Sequence, residues 1–206
     1  MPQRPPYLSI ALVSGSALAY EVLLMRLFSI IQWHHFSYMI IGLALLGYGF
    51  SGTVVAIFQR LLLAHFRVAY LACLVLFGML SVTCFLLAQS LPFNAELMLW
   101  DYRQVIYLLV IFLQLSLPIF FAATAICLAF MYYLEQVPRI YAWDMAGGGV
   151  GSLAVIGLLF VFIAVHALLV ISLLGLLAFL IASREMRYGN YASMAAVFLV
   201  SSATLG

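Results

Sequence analysis

Ionisable side chains inside long apolar runs are the first places to look for chemistry. Hydrocarbon makes a charge costly, so each such group needs a partner or a role. Glu21 and Arg26 share one apolar run, and Asp144 lies near the start of another. Counted from Leu8, Glu21 is about 20 Å along its helix. A carboxyl group at that depth either stays protonated and hydrogen-bonds between helices, or serves as a substrate or proton site. Arg26 is five residues on, about 140° around the helix, so the two do not form an ideal pair. Arg26 is also near the outer end, where it can snorkel to the interface. Glu21 therefore needs a partner on another helix. Depth counting at about 1.5 Å per residue puts Gln114, Ser152 and Thr83 at a similar level, and Tyr20 is placed to help close the pocket. Pro118 leaves the carbonyl of Gln114 without its usual bond. Asp144 follows Pro138 and Arg139, one turn into its helix. There an acid suits the helix dipole or pairs with Arg139; the alternative is a role in a cytoplasm-facing site.

Other chemistries are poorly supported. His34, His35 and His166 fall at the expected outer surface, which makes them weak metal or haem ligands without regular spacing. No Ser-His-Asp, HExxH, P-loop or CxxC pattern occurs. Cys73 and Cys84 share a helix face but are about 16 Å apart along it. With Cys127 they read as inert buried thiols. No metal and no cofactor is expected, and there is no nucleic-acid patch: the net charge is only +2 and lysine is absent.

The elements that must position these groups are membrane helices. The chain of 206 residues is 68% hydrophobic and 7% charged, against about 25% charged in soluble domains. Its mean hydropathy is +1.24. A bilayer can accommodate that surface and a soluble fold of this length cannot. We expect an all-α, polytopic transmembrane bundle of about seven helices in a single domain over 1–206. The spans fall near 8–31, 36–59, 68–91, 105–134, 140–163 and 166–182. A last apolar stretch, 191–206, is short for a full span, as in a piece of a longer protein. The first run resembles a signal peptide up to Ala17-Leu18-Ala19, but it continues to Ile31 and so reads as a retained span. Arg4, Arg60, Arg67, Arg139, Arg184 and Arg187 lie on one side, against Arg26 and Arg103 on the other. This puts the N-terminus in the cytoplasm and the chain in the inner membrane. Trp33 and Trp100 outside, and Tyr132, Tyr133, Tyr141 and Trp143 inside, read as interface anchors.

Two glycine-rich stretches are suited to close helix contact, and one or the other should form it. Gly42, Gly49, Gly52 and Ala56 form a nearly straight stripe on the second span. Gly147, Gly148 and Gly151, with Ser152, give small-xxx-small spacing on the fifth. The fifth-span cluster is not a dinucleotide loop, since no strand precedes it.

Three stretches in order carry a family resemblance. They are Ser14–Ser29 with its Tyr20-Glu21 and Arg26-Leu27, Gly42–Gly49, and Tyr141-Ala142-Trp143-Asp144 followed by the glycine ladder to Gly151. Together they resemble the membrane region of membrane-fused spermidine-synthase-like proteins. The resemblance implies weight on Tyr20, Glu21, Arg26 and Asp144, with no assigned role for any. Fuller members continue into a Rossmann-like domain for decarboxylated S-adenosylmethionine and a polyamine. These 206 residues contain no such domain, so aminopropyl transfer is not expected of them.

Two functions fit. One is a non-catalytic subunit or anchor, docking a larger membrane complex through its glycine stripes and lipid face. The other is a module that binds or moves a small cationic, polyamine-like solute with Glu21 as its buried acid. The small size and missing enzyme domain lean toward the first. The expected partners are the lipid bilayer and other membrane subunits.

Overall fold

The computed structural model describes residues 5–31, 37–93, 101–161 and 164–186. Seven helices are formed among them: α1 Tyr7–Ile31, α2 Ser37–Ile57, α3 Gln59–Ala64, α4 Phe66–Ser90, α5 Tyr102–Tyr132, α6 Val137–Val161 and α7 Ala164–Glu185. There is no strand among the described residues. All but α3 are long and apolar enough to cross a membrane, because only a helix satisfies its own backbone in hydrocarbon. The protein is an all-α, multi-pass membrane bundle. The expected seventh span, 191–206, lies outside the described residues, as do Trp33 and Trp100.

Local chemistry moves several boundaries. The stretch expected as a polar loop after the second span is the helix α3, with no buried residue; Gln-Arg-Leu-Leu-Leu-Ala is a run of strong helix formers. α5 begins at Tyr102 because Asp101 caps it, its carboxylate accepting from the Arg103 N–H at 3.0 Å. α6 begins at Val137, so Pro138 occupies the first turn, where its missing N–H costs nothing. Asp144 is consequently two turns into α6, about 10 Å along it, and not in the first turn.

The spans alternate in direction. The Tyr7 hydroxyl donates to Gln136 Oε1 at 2.5 Å, and Phe66 stacks on Tyr132 with ring centroids 4.0 Å apart. These contacts place the starts of α1, α4 and α6 and the end of α5 on one face. Tyr133 is buried beside Phe66 and is a packing residue, whereas Tyr141 and Trp143 remain exposed.

α1, α2, α5, α4 and α7 pack in a ring, each against the next, and α6 leans on α1 from outside. α1 is the most enclosed span: 67% of its apolar window is buried, against 11% for α6. Tyr20, Leu23, Leu24, Tyr70, Phe77 and Leu115 are among the fully buried side chains at the centre.

Candidate intramembrane polar site

The polar centre is built where α6 crosses α1. Added Cβ atoms measure how close the backbones are. One at Gly147 would overlap the main chain of Ala11, and one at Gly151 the main chain of Gly15. One at Gly15 would stand 2.7 Å from the Gly147 carbonyl oxygen. The seam is therefore Ala11-x3-Gly15 against Gly147-x3-Gly151, small on both sides. Gly148, one turn after Asp144, faces Ser14 and Leu18; its Cβ would lie 2.6 Å from Leu18 Cδ1 and 3.3 Å from Ser14 Oγ. With no side chain there, the Ser14 hydroxyl reaches the main-chain carbonyl of Asp144 and donates to it at 2.9 Å. Ser14 and Asp144 are each seven residues past their helix starts, so both sit about 10 Å from the same face.

Of the two stretches, the α6 cluster makes the close contact and the α2 stripe does not. Cβ atoms at Gly42, Gly49 and Gly52 would meet nothing within 4 Å. The stripe has the right spacing, but no helix among the described residues is opposed to it.

Glu21 points into the bundle and accepts a hydrogen bond from the Tyr48 hydroxyl at 2.7 Å. Side chains on a helix lean toward its N-terminus. α1 and α2 are antiparallel, so Glu21 and Tyr48 lean toward each other and close the gap in depth between them. The neighbours expected from depth alone are not its partners. Thr83 is exposed and bonded to Met79 of its own helix at 3.0 Å. Ser152 is bonded to Gly149 of its own helix at 2.9 Å. Both satisfy themselves one turn back, as hydroxyls on helices do. Gln114 lines a cleft of about 610 Å³ with Leu46, Gly47 and Phe50. Tyr20 is not hydrogen-bonded to the Glu21 pair. It is fully buried, and its hydroxyl meets no hydrogen-bond partner among the described residues. Arg26 is exposed toward the far end of α1.

A cavity of about 480 Å³ lies on the flank of the seam toward α2 and α5. One wall is polar: Ser14, Tyr48, Ser51 and Asp144. From α5 the cavity takes an apolar lining, Ala123, Ile126, Cys127 and Phe130. Asp144 is only 8% exposed, while Arg139 is exposed and five residues away, about 140° around the helix, which does not suit a pair. Ser14 stands beside the Asp144 carboxylate as well, but its single proton goes to the main-chain oxygen. The carboxylate thus keeps acceptor capacity toward the cavity.

No family model, curated protein or solved structure matches this chain. Among the described residues no group of three or more His, Cys, Asp or Glu is arranged to hold a metal. His166 is exposed at the start of α7, and His34 and His35 lie outside the described residues.

Sequence reasoning passed over Ser14, Tyr48 and the Ala11–Gly15 half of the seam. A signal existed for each. Ala11, Gly15 and Ala19 repeat at four-residue spacing, and Tyr48 is a phenol in the middle of an apolar span, where its hydroxyl has to find a partner.

Proposed function

We propose that this protein is a membrane-embedded binding module for a small cationic solute, which Asp144 receives in the cavity between α1, α2, α5 and α6. One observation carries the reading: a carboxylate more than nine-tenths buried stands on a cavity inside the spans, and among the described residues no cationic side chain lines it. Such a group is costly in hydrocarbon unless a counter-charge arrives. Glu21, bonded to Tyr48, steadies the inner end of the polar wall. With most arginines on the cytoplasmic side, Asp144 occupies the cytoplasmic half of the inner membrane. Calorimetric titration of the full chain in lipid nanodiscs, with a panel of primary amines and their matched alcohols, tests this. At least one amine should bind better than its alcohol, and Asp144→Asn should abolish that preference while helicity is kept. Equal binding of amines and alcohols, or an unchanged Asp144→Asn variant, overturns it.

The α2 stripe favours a second reading, a subunit of a larger membrane complex. Gly42, Gly49, Gly52 and Ala56 are exposed in a row, a surface on which another membrane helix can approach closely. Crosslinking from Thr53 in native membranes tests it: a discrete adduct supports the subunit reading, and none removes it.

A further inference from the structure

We infer that the solute is a monoamine with an apolar body, entering sideways from the bilayer, rather than a chain of several ammonium groups. This rests on the cation-binding reading above and narrows it to one substrate class.

The first ground is the count of free acids. Glu21, which accepts from the Tyr48 hydroxyl at 2.7 Å, does not line the cavity among the described residues. Asp144 is the acid that lines it there, with Ser14 as its neutral neighbour. One uncompensated carboxylate neutralises one ammonium. A second ammonium in the same low-dielectric space would be left unpaired, at a cost that outweighs its contacts.

The second ground is the apolar lining. Ala123, Ile126, Cys127 and Phe130 offer no charge to an ammonium group and about one helix face of apolar contact. Sharing the cavity with Asp144, that apolar lining complements a ring or a branched hydrocarbon. Polar orientation at one pole and apolar burial elsewhere is the usual division of labour in a small-molecule site.

The third ground is the opening. α2 and α6 do not pack as a pair, and α5 and α6 touch little. Two residues at the cavity edge, Gly52 of α2 and Met145 of α6, are exposed, Met145 by 51%. Met145 is about 12 Å along α6, so this mouth lies within the span. A solute that partitions into the bilayer reaches the mouth directly, whereas a strongly hydrated polycation does not.

The test is titration calorimetry on the full chain in nanodiscs with 2-phenylethylamine, 2-phenylethanol and putrescine. Phenylethylamine should bind saturably, and the alcohol and the diamine each about tenfold more weakly. Asp144→Asn should lower phenylethylamine affinity by about tenfold or more, with circular dichroism unchanged. Ile126→Trp, which fills the apolar wall and leaves the acid in place, should lower it by about fivefold; this second variant serves if Asp144→Asn does not fold. Tighter putrescine binding that depends on Asp144 overturns this inference and leaves the cation site standing. Unchanged affinity in Ile126→Trp overturns the placement of the apolar body. No preference for either amine over the alcohol overturns both the inference and the reading beneath it.

Discussion

Two glycine-rich stretches of this protein each carry a small pair at four-residue spacing, Gly52 and Ala56 on α2 and Gly147 and Gly151 on α6, yet do opposite things. On α6, Gly147 and Gly151 press against the backbone of Ala11 and Gly15, and no side chain could be inserted. On α2, Gly42, Gly49 and Gly52 look onto open space. The difference lies in the partner, not in the stripe. α1 carries a matching small pair at the same four-residue spacing, so the two surfaces interlock and gain van der Waals contact, the main adhesive between helices in lipid. A stripe with no opposed pair gains no such contact. The lesson reaches the polar site, because Ser14 and Asp144 meet only where that seam brings α1 and α6 together.

The sharpest way to break the comparison is to fill the seam. Gly151→Leu or Gly147→Leu should separate α6 from α1 and abolish a folded, monodisperse protein in detergent. Gly151→Ala should still cost about 1–3 kcal/mol by overpacking, read as a lowered thermal midpoint. A melt unchanged in both Leu variants would show that α6 does not sit on α1. Next in size is the polar pair. Glu21→Leu should lower stability by about 1–3 kcal/mol, because it leaves the Tyr48 hydroxyl unpaired. Glu21→Gln should be nearly silent, since glutamine still accepts from Tyr48. A destabilising Glu21→Gln combined with a silent Glu21→Leu would reverse the assignment. A milder effect is expected at Gly175, where a Cβ would stand 2.8 Å from the ring of Phe77. That neighbour is a side chain with some freedom to shift, so Gly175→Ala should cost less than Gly151→Ala. Smallest is the open stripe: Gly49→Ala should leave the melt of the isolated chain unchanged or slightly raised, as alanine favours helix over glycine. A large loss there would mean that α2 has a partner in the isolated protein.

Much of the fold was legible in the chain before any coordinates. The apolar runs, punctuated by Gln32–His35, Pro92–Gln104 and Glu135–Arg139, mark where spans must end. The importance of Glu21 and Asp144 followed from the cost of placing acids in hydrocarbon. Their surroundings were less accessible. Depth counting orders residues along the membrane normal and says nothing of which helices are neighbours, so it offered Gln114, Ser152 and Thr83 for Glu21 when the partner is Tyr48. It also could not place the polar wall in one cavity with Ile126 and Phe130, since those residues belong to helices far apart in sequence.

Sequence alone determined the class of this protein: an all-α chain in which helices with few charges and long apolar runs must cross a bilayer. It also determined that Gly147, Gly148 and Gly151 are capable of close packing. Only the tertiary structure decided that α6 uses that capacity while the Gly42, Gly49 and Gly52 stripe of α2 does not, and that Asp144 lines a cavity. The reason is physical. In a soluble protein water marks the outside of every helix, and the apolar face reveals which way it turns. In lipid the surroundings are as apolar as the core, so inward and outward faces look alike. Orientation is then settled by shape fit and by the few polar groups that must find one another, and both of these exist only once the helices are assembled.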